Sequence, residues 1–147
     1  MYGLVRDVLA DKGREVFAVG PRTTVRQAVQ RMNEHGIGAV LVLEGERPIG
    51  IFTERDVLRR VVDAGRDPDT TLVQEVMSSP VVTVRPDTPV REAMETITTL
   101  RHRHLPVVDG GKVVGLVSIG DLLRWVTYYQ QREIEHMTDY ITGRAPA

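Results

Sequence analysis

The chain contains two stretches of the same form, Gly50-Ile51-Phe52-Thr53-Glu54-Arg55-Asp56 and Gly115-Leu116-Val117-Ser118-Ile119-Gly120-Asp121. Each stretch has a glycine, two apolar residues, a hydroxyl residue, two dissimilar residues and an aspartate. The offset of 65 residues between them also aligns residues 16–61 with residues 81–126 without a gap, and 14 of the 46 aligned pairs are identical. The chain therefore contains an internal duplication.

Both copies predict the same order of elements, which is strand, helix, strand, strand, helix. The β-branched runs at 17–19 and 81–84 stop shortly before a proline, as strands do. A helical spacing of apolar residues follows, then two apolar runs around a glycine turn, which indicate a hairpin. We assign residues 4–65 to the first motif, 66–71 to a polar linker, 72–126 to the second motif and 127–147 to a C-terminal helical extension.

The composition is that of a folded protein without a strong charge of either sign. The 147 residues are 41% hydrophobic, and the formal net charge of −1 gives no field for steering towards nucleic acid or an anionic membrane. The absence of cysteine excludes disulfides, thiol catalysis and thiolate metal sites. The sequence has neither a signal-peptide pattern nor an apolar run long enough to cross a bilayer. We therefore predict a cytoplasmic protein without membrane contact.

Residues 4–126 resemble a tandem pair of CBS domains, the regulatory modules named after cystathionine β-synthase. The resemblance depends on the two Gly-x-x-Thr/Ser-x-x-Asp stretches, on the run Arg103-His104-Leu105-Pro106-Val107-Val108, and on the lead-ins 4–9 and 72–77. It implies an α+β fold in which two β-α-β-β-α motifs pack as a pseudo-twofold pair, with small sheets facing each other and helices outside. It also implies that two clefts lie between the motifs. The resemblance is to stand-alone regulatory proteins of this kind.

The hydroxyl and the aspartate of each stretch are candidate ligand-binding residues, namely Thr53, Asp56, Ser118 and Asp121. A carboxylate can accept hydrogen bonds from both vicinal hydroxyls of a ribose, and the resemblance implies this role in binding adenosine ligands. The hydroxyl can bind a second ribose or phosphate oxygen, and the glycine lets backbone or ligand approach closely. The alternative is that these residues only cap the helix that follows.

Basic residues are the next candidates. Arg103 and His104 end the basic run 101–104, and the resemblance implies that these positions contact phosphate. The alternative is an exposed basic loop or a short RNA-binding patch. Arg55 is also a candidate, and its aligned partner is Gly120, so the two clefts are predicted to differ.

Lys12 and three apolar residues complete the candidate site. Lys12 is either a further cation in a cleft or a solvated loop lysine. An adenine base needs an apolar slot, for which the candidates are Ile37, Val82 and Leu105. The alternative for these three is burial in the ordinary core.

The sequence has no motif for catalysis or metal binding. It contains neither a Gly-x-x-x-x-Gly-Lys phosphate loop nor a serine nucleophile motif. Of the four histidines, His102 and His104 are close together, but no third ligand lies near them in the sequence. We predict that the protein is not an enzyme and has no catalytic residue, catalytic cofactor or metal.

The predicted function is that of a ligand-sensing regulatory module. The resemblance implies that its clefts bind AMP, ADP, ATP, NAD(H) or S-adenosylmethionine, with AMP first among them, and that binding is relayed to a regulated partner protein. Two alternatives are a structural adaptor with non-functional clefts and a nucleic-acid contact protein that uses the basic run. The near-neutral net charge disfavours the nucleic-acid alternative.

The C-terminal extension predicts self-association. Between Asp121 and Gly143, helical spacing relates five apolar residues, with Gln130 as an interruption: Leu123, Val126, Ile134, Met137 and Ile141. Such a helix is longer than one motif needs, and we predict that it crosses to a second copy in a homodimer, as the resemblance also implies. The alternative is a helix folded back on its own chain.

Overall fold

The computed structural model describes residues 2–143, so the last four residues of the predicted C-terminal extension lie outside the described residues. The first half of the chain contains α1 (Val5–Lys12), β1 (Ala18–Val19), α2 (Val25–His35), β2 (Ala39–Glu44), β3 (Arg47–Thr53) and α3 (Glu54–Asp56), which continues as a π-helical segment (Val57–Val62). The second half contains α4 (Val73–Val76), α5 (Val90–Leu100), β4 (His104–Asp109), β5 (Lys112–Ser118) and α6 (Ile119–Thr142). The fold is α+β with two small sheets.

The first sheet has the order β1-β2-β3. Its short strand β1 runs parallel to β2, and β2 and β3 form the predicted antiparallel hairpin. Helix α2 begins at Thr24, whose hydroxyl accepts a hydrogen bond from the Gln27 amide at 3.2 Å. It ends at Gly36, which adopts the left-handed conformation that glycine tolerates best, with φ of 61°.

The second sheet has two strands, β4 and β5, and the strand predicted at 81–84 is reduced to a single bridge between Val84 and Val107. A proline explains the difference between the sheets. In the first repeat the Leu41 amide donates to the Phe17 carbonyl oxygen at 3.1 Å. The residue aligned with Leu41 is Pro106, which has no N–H to donate to Val82, so the parallel ladder does not extend.

The lead-in helix of each repeat packs into the core of the other repeat. Helix α1 contributes its buried residues to the second core, which contains Val5, Val8, Leu9, Val84, Val90, Ala93, Ile97, Leu105, Val107, Val117 and Leu122. Helix α4 does the same for the first core, which contains Val25, Ala28, Met32, Val40, Val42, Phe52, Val61, Val73 and Val76. Each apolar core is therefore built from both halves of the sequence.

The glycine that begins each repeated stretch accommodates this exchange. A Cβ atom at Gly115 would lie 2.7 Å from Leu9 Cδ2, and one at Gly50 would overlap the side chain of Met77. Both neighbours come from the lead-in that packs across from the other repeat. The sequence predicted close approach of backbone or ligand at these glycines, but the group that approaches is an apolar side chain.

The two sheets meet through a third apolar cluster. Its buried members Ala39, Leu41 and Ile51 pack with residues of both halves, including Val16, Val81 and Val113. This contact brings the ends of β3 and β5, and therefore the two repeated stretches, to the boundary between the repeats.

Helix α6 continues without a break past residue 126, where the second motif was predicted to end. Its first half packs on its own chain, since the Trp125 indole N–H donates to the Tyr2 carbonyl oxygen at 2.6 Å and the rings of Tyr2 and Tyr129 are in edge contact. Beyond Gln130 nearly every described residue is exposed. Among residues 2–143, no helix has the length and apolar character needed to span a bilayer.

Candidate functional site

Two adjoining cavities lie at the boundary between the repeats, one beside each repeated stretch. The first cavity has a volume of about 330 Å³ and is lined by Gly38, Ile51, Thr53, Glu54, Arg55, Asp56, Ser78, Arg101, His102, Arg103 and His104. The second has a volume of about 340 Å³ and is lined by Lys12, Gly13, Glu15, Phe17, Ile37, Gly38, Ala39, His104, Leu116, Ser118 and Asp121. Gly38 and His104 line both cavities.

Each cavity combines the aspartate of one repeat with a wall from the other repeat. The first cavity pairs Asp56 with residues 102–104, and the second pairs Asp121 with residues 37–39. These two wall segments occupy equivalent places, because the offset of 65 residues aligns them. The first wall is basic and the second is apolar, so the two cavities differ as predicted.

Asp56 is 5% exposed and surrounded mainly by neutral donors. The Thr53 amide donates to its Oδ2 at 3.0 Å, and the Ser78 hydroxyl donates to its Oδ1 at 3.0 Å. The Arg60 guanidinium lies 3.7 Å from Oδ1. Hydroxyl donors can rotate, so these partners leave room for an incoming donor without separating a close ion pair.

Asp121 is 8% exposed and has two close cationic partners. The Lys12 ammonium lies 2.7 Å from its Oδ2, and the Arg124 guanidinium lies 2.7 Å from its Oδ1. The Ser118 amide also donates to Oδ2, at 2.8 Å. Lys12 is the last residue of α1 and lines the second cavity, so the alternative of a solvated loop lysine is wrong.

Both hydroxyl residues cap the helix that follows. Thr53 Oγ1 accepts from the Asp56 amide at 3.2 Å, and Ser118 Oγ accepts from the Asp121 amide at 3.1 Å. Each aspartate in turn accepts from the amide of its capping residue, which completes a capping box. The capping alternative is thus observed at both stretches, and the same geometry holds each carboxylate beside its cavity.

Burial and local charge act in opposite directions on Asp121. Burial by itself raises the pKa of this carboxyl, but hydrogen bonds from Lys12 and the Ser118 amide outweigh it and hold the pKa below its ordinary value. Asp121 is therefore ionised at neutral pH and can accept hydrogen bonds from a ligand.

His104 is affected mainly by burial. Burial lowers the pKa of His104, and the charges of Lys12 and Arg103 lower it further, while Asp121 opposes them. The imidazole is therefore neutral at pH 7. It can exchange hydrogen bonds with a ligand, but it does not supply the positive charge that was predicted to meet phosphate.

All four residues of the basic run 101–104 line the first cavity, together with Arg55. Arg103 therefore faces the site of Asp56, which belongs to the other repeat. Both arginines of the run are exposed and both histidines are half-buried. Arg101, which follows α5, adopts the left-handed conformation with φ of 57°, so the chain turns within the run before β4 begins at His104.

The three apolar candidates have different positions. Ile37 lines the second cavity, whereas Leu105 is fully buried in the second core and Val82 packs beside that core. Neither Leu105 nor Val82 is among the lining residues of the two cavities. Alternation along β4 explains the position of Leu105, because His104 faces the cavities and the next side chain faces the core.

The lining residues that the sequence-based prediction missed include Phe17, Leu116 and Ser78. Phe17 aligns with the candidate Val82, so the repeat offset could have revealed it. Its ring stacks on that of His35 with a centroid separation of 4.0 Å, which orients it as a wall of the second cavity. Ser78 follows α4 and reaches Asp56 through the tertiary fold, and the sequence contains no signal for that contact.

No group of three or more histidine, aspartate or glutamate residues suited to a metal ion occurs within residues 2–143. The carboxylates, hydroxyls, guanidinium groups and apolar walls of the cavities are instead suited to an organic ligand that carries hydroxyl and anionic groups.

Two relatives match most of this chain. An uncharacterized protein of Methanopyrus kandleri is 40% identical over 117 residues, which cover 78% of this chain and 60% of that protein. The CBS domain-containing protein CBSX3 of Arabidopsis thaliana is 36% identical over 148 residues, which cover 95% of this chain and 72% of that protein. This chain is thus shorter than both relatives. The name of the Arabidopsis protein places it in mitochondria, so such relatives are not confined to the cytoplasm.

Solved structures of other proteins have the same fold. A putative signal-transduction protein with CBS domains from Burkholderia ambifaria is 44% identical, has a TM-score of 0.79, and is matched over 84% of this chain and 93% of its own. A CBS domain protein from Pyrobaculum aerophilum, solved in complex with AMP, is 26% identical, has a TM-score of 0.72, and is matched over 84% of this chain and 98% of its own. The family model described as "CBS domain" matches residues 5–63 and 73–128. The chain therefore belongs to the CBS-domain family and contains two CBS domains in tandem.

Proposed function

We propose that this chain is a non-catalytic regulatory module that binds adenosine-containing ligands, with AMP first among them, and relays their binding to a partner protein. The observation that carries the proposal is a buried, hydrogen-bonded aspartate beside each of two cavities between the repeats. Carboxylates in this position can accept hydrogen bonds from a ribose diol. The AMP complex of the Pyrobaculum protein supports AMP as the first ligand to test.

The second cavity suits the base and sugar of a nucleotide. Phe17, Ile37 and Leu116 provide apolar surface for a base, and Ser118 and Asp121 provide polar partners for a sugar. A purine stacked on an aromatic ring gains on the order of 1–3 kcal/mol. This arrangement favours a ligand with an aromatic base over a sugar phosphate.

The first cavity suits a ligand with more negative charge. Arg55, Arg101 and Arg103 supply guanidinium groups, while Ile51 is the apolar residue of its wall. Guanidinium groups bind phosphate in a bidentate manner. In this cavity the sugar would contact Asp56 and the phosphates would contact the basic run, which assigns that run to a small ligand instead of nucleic acid.

A panel of ligands tests the proposal. Melting temperature is measured with AMP, ADP, ATP, NAD⁺, NADH and S-adenosylmethionine. A ligand at 100 times its Kd stabilises the chain by about 2.7 kcal/mol, which raises the melting temperature by roughly 5–10 °C. If no compound raises it, the proposal fails and the structural adaptor becomes the better explanation.

Calorimetric titration of variants then locates the sites. Replacing Asp56→Asn or Asp121→Asn removes the charged acceptor while retaining a carbonyl oxygen for the helix start. We expect each change to weaken binding in its own cavity by about 10- to 100-fold. Asp109→Asn, at the exposed end of β4, is the matched control and leaves binding unchanged. Unaltered affinity in both cavity variants would contradict the assignment of the aspartates.

We further propose that the module is a homodimer. The exposed residues Leu123, Ile134, Met137 and Ile141 lie on one face of α6, because their successive spacings of 11, three and four residues are all close to whole helical turns. Leu58, which the repeat offset aligns with Leu123, is also exposed. A second copy that covers these residues would bring two chains, each with its own cavities, into one assembly. That assembly would provide a surface through which ligand binding is relayed to a partner protein.

A further inference from the structure

Lys12 already donates to the Asp121 carboxylate, which the proposed ribose contact requires as an acceptor. Its ammonium donates to Asp121 Oδ2 and to the Leu116 carbonyl oxygen, both at 2.7 Å. Lys12 belongs to the first repeat by sequence, but its helix packs on the second core. The lysine thus joins the two repeats inside the second cavity.

Asp121 has too few free acceptor positions for a ribose diol. An ionised carboxylate offers about four lone pairs. The Ser118 amide, Lys12 and Arg124 use three of them. A diol that donates from both hydroxyls needs two, so one present partner must leave. The Ser118 amide is held by the helix start, which leaves Lys12 or Arg124.

The cavity geometry selects Lys12 as the partner that leaves. The Lys12 side chain is 30% exposed and lines the second cavity, so an arriving ligand meets it directly. Arg124 is 77% exposed and lines a groove between α1 and α6, which Lys12 and Asp121 also line, but it does not line the second cavity. A lysine that leaves Asp121 inside the cavity loses its ionic partner, and this loss opposes binding unless the ligand supplies another anion.

We propose that Lys12 makes the second cavity selective for phosphorylated nucleosides, because it exchanges Asp121 for a ligand phosphate as the ribose binds. This inference rests on the proposed function and specifies the ligand class of one cavity. The first cavity has no equivalent requirement, because the close donors to Asp56 are an amide and the Thr53 and Ser78 hydroxyls. A nucleoside without phosphate binds the second cavity poorly because it displaces Lys12 without replacing its partner.

Titration calorimetry with adenosine and AMP tests the exchange. The parent chain carries Asp56→Asn, which weakens the first cavity about 10- to 100-fold, and the titrations are fitted to a tight second cavity and this weakened first cavity. Lys12→Met is then added to the parent. We expect the parent to bind AMP about 10- to 100-fold more tightly than adenosine. In Lys12→Met we expect adenosine to bind at least about threefold more tightly than it binds the parent, since Asp121 is then accessible, while the preference for AMP falls.

Lys112→Met is the matched control, because it removes an exposed lysine that pairs with Glu46 and does not contact Asp121. The three donors to Asp121 stay in place, so the preference for AMP over adenosine is retained. Should Asp56→Asn prevent folding, the same titrations on chains with Asp56 intact, fitted to two sites, give the comparison.

The remaining outcomes separate the two proposals. If Lys12→Met weakens the binding of adenosine, or leaves the preference for AMP unchanged, the proposed exchange of Asp121 for phosphate is wrong. Binding that occurs with Asp56 intact and vanishes in the Asp56→Asn parent shows that the second cavity takes no nucleotide, and it overturns this inference alone. If neither compound binds any chain, the proposed function fails as well.

Discussion

At the scale of single residues, burial sets the charge state of His104, and close donors set that of Asp121. The two groups lie near each other, and the charge of Asp121 raises the pKa of His104 against the larger effect of burial. The second cavity therefore contains a neutral imidazole and an ionised carboxylate at pH 7. This combination recognises hydroxyl groups by hydrogen bonding and leaves Lys12 as the cation of the cavity.

Stability should depend on pH through His104. The pKa of His104 is lowered by folding, so the unfolded chain binds more protons below its ordinary value of about 6.5. We expect the free energy of unfolding to be highest above pH 6.5 and to fall as the pH decreases through that value. Urea unfolding between pH 5 and pH 8 measures the effect, and His104→Gln should flatten the profile in the acidic part of this range.

His136→Gln is the control for that experiment, because His136 is exposed on α6. It should leave the profile of the parent chain unchanged. The loss linked to Asp121 occurs in a separate range, since its lowered pKa contributes stability above its unfolded value near pH 4 and loses it in stronger acid. Equal flattening by both histidine variants would contradict the role of buried His104.

At the scale of the elements, the exchanged lead-in helices hold the two repeats together. Helix α1 is necessary for the second core, and α4 is necessary for the first, so neither repeat has a complete core from its own sequence. Lys12 and Ser78 lie at or just beyond the ends of these helices and contact the aspartate of the opposite repeat. If Lys12 or Ser78 moves away from its aspartate, the packing of the neighbouring lead-in helix, α1 or α4, is therefore affected.

The glycines that receive the lead-ins should be sensitive to alanine. Gly115→Ala places a methyl group against the fully packed Leu9, and we expect it to lower the free energy of unfolding by about 1–3 kcal/mol. Gly50→Ala should cost less, because the neighbouring Met77 side chain is flexible and can move. Urea unfolding of both variants gives the comparison.

A double variant tests whether contact with Leu9 causes the destabilisation by Gly115→Ala. Leu9→Ala removes the group that the new methyl would meet, so Gly115→Ala should cost less in the Leu9→Ala chain than in the parent. Strict additivity of the two free-energy changes would show that Gly115 acts through its own backbone and not through the lead-in helix.

At the scale of the whole molecule, α6 exposes an apolar face for which the described part of this chain provides no cover. Ile134 and Met137 are each 64% exposed and Ile141 is 78% exposed. The Tyr2 contacts hold the first half of the helix on its own repeat, so the described structure does not agree with the alternative of a helix folded back along its length. A second copy would bury these side chains and extend the assembly beyond one pair of domains.

Sedimentation velocity at micromolar concentration measures the oligomeric state. We expect the parent chain to sediment as a dimer and the double variant Ile134→Glu/Met137→Glu as a monomer, because buried carboxylates without partners oppose association. His136→Glu, exposed on the same turn of α6 but on the opposite side from the apolar face, adds a single negative charge as the control and should remain a dimer. A monomeric parent chain would contradict the proposal.

The repeat and its hydrophobic spacing were sufficient to predict the element order and the two repeated aspartates, because these features depend on local patterns that recur at one offset. The α+β fold of two paired motifs came from the family resemblance that those patterns carry. The sequence also predicted that the clefts differ, since Arg55 has Gly120 as its partner and the basic run aligns with uncharged residues. The sequence also contains the cause of the shortened strand in the second repeat, because Pro106 stands at the position that aligns with Leu41. Local chemistry is enough for each of these conclusions.

Only the tertiary structure decided which residues meet across the boundary. Lys12 is 109 residues from Asp121, Ser78 is 22 residues from Asp56, and the wall of each cavity comes from the opposite repeat. Such contacts follow from how two cores exchange their lead-in helices, and residue spacing along one repeat contains no information about that exchange. The sequence made Leu105 a candidate for a cavity wall because it follows His104, but the tertiary packing buries it in the second core.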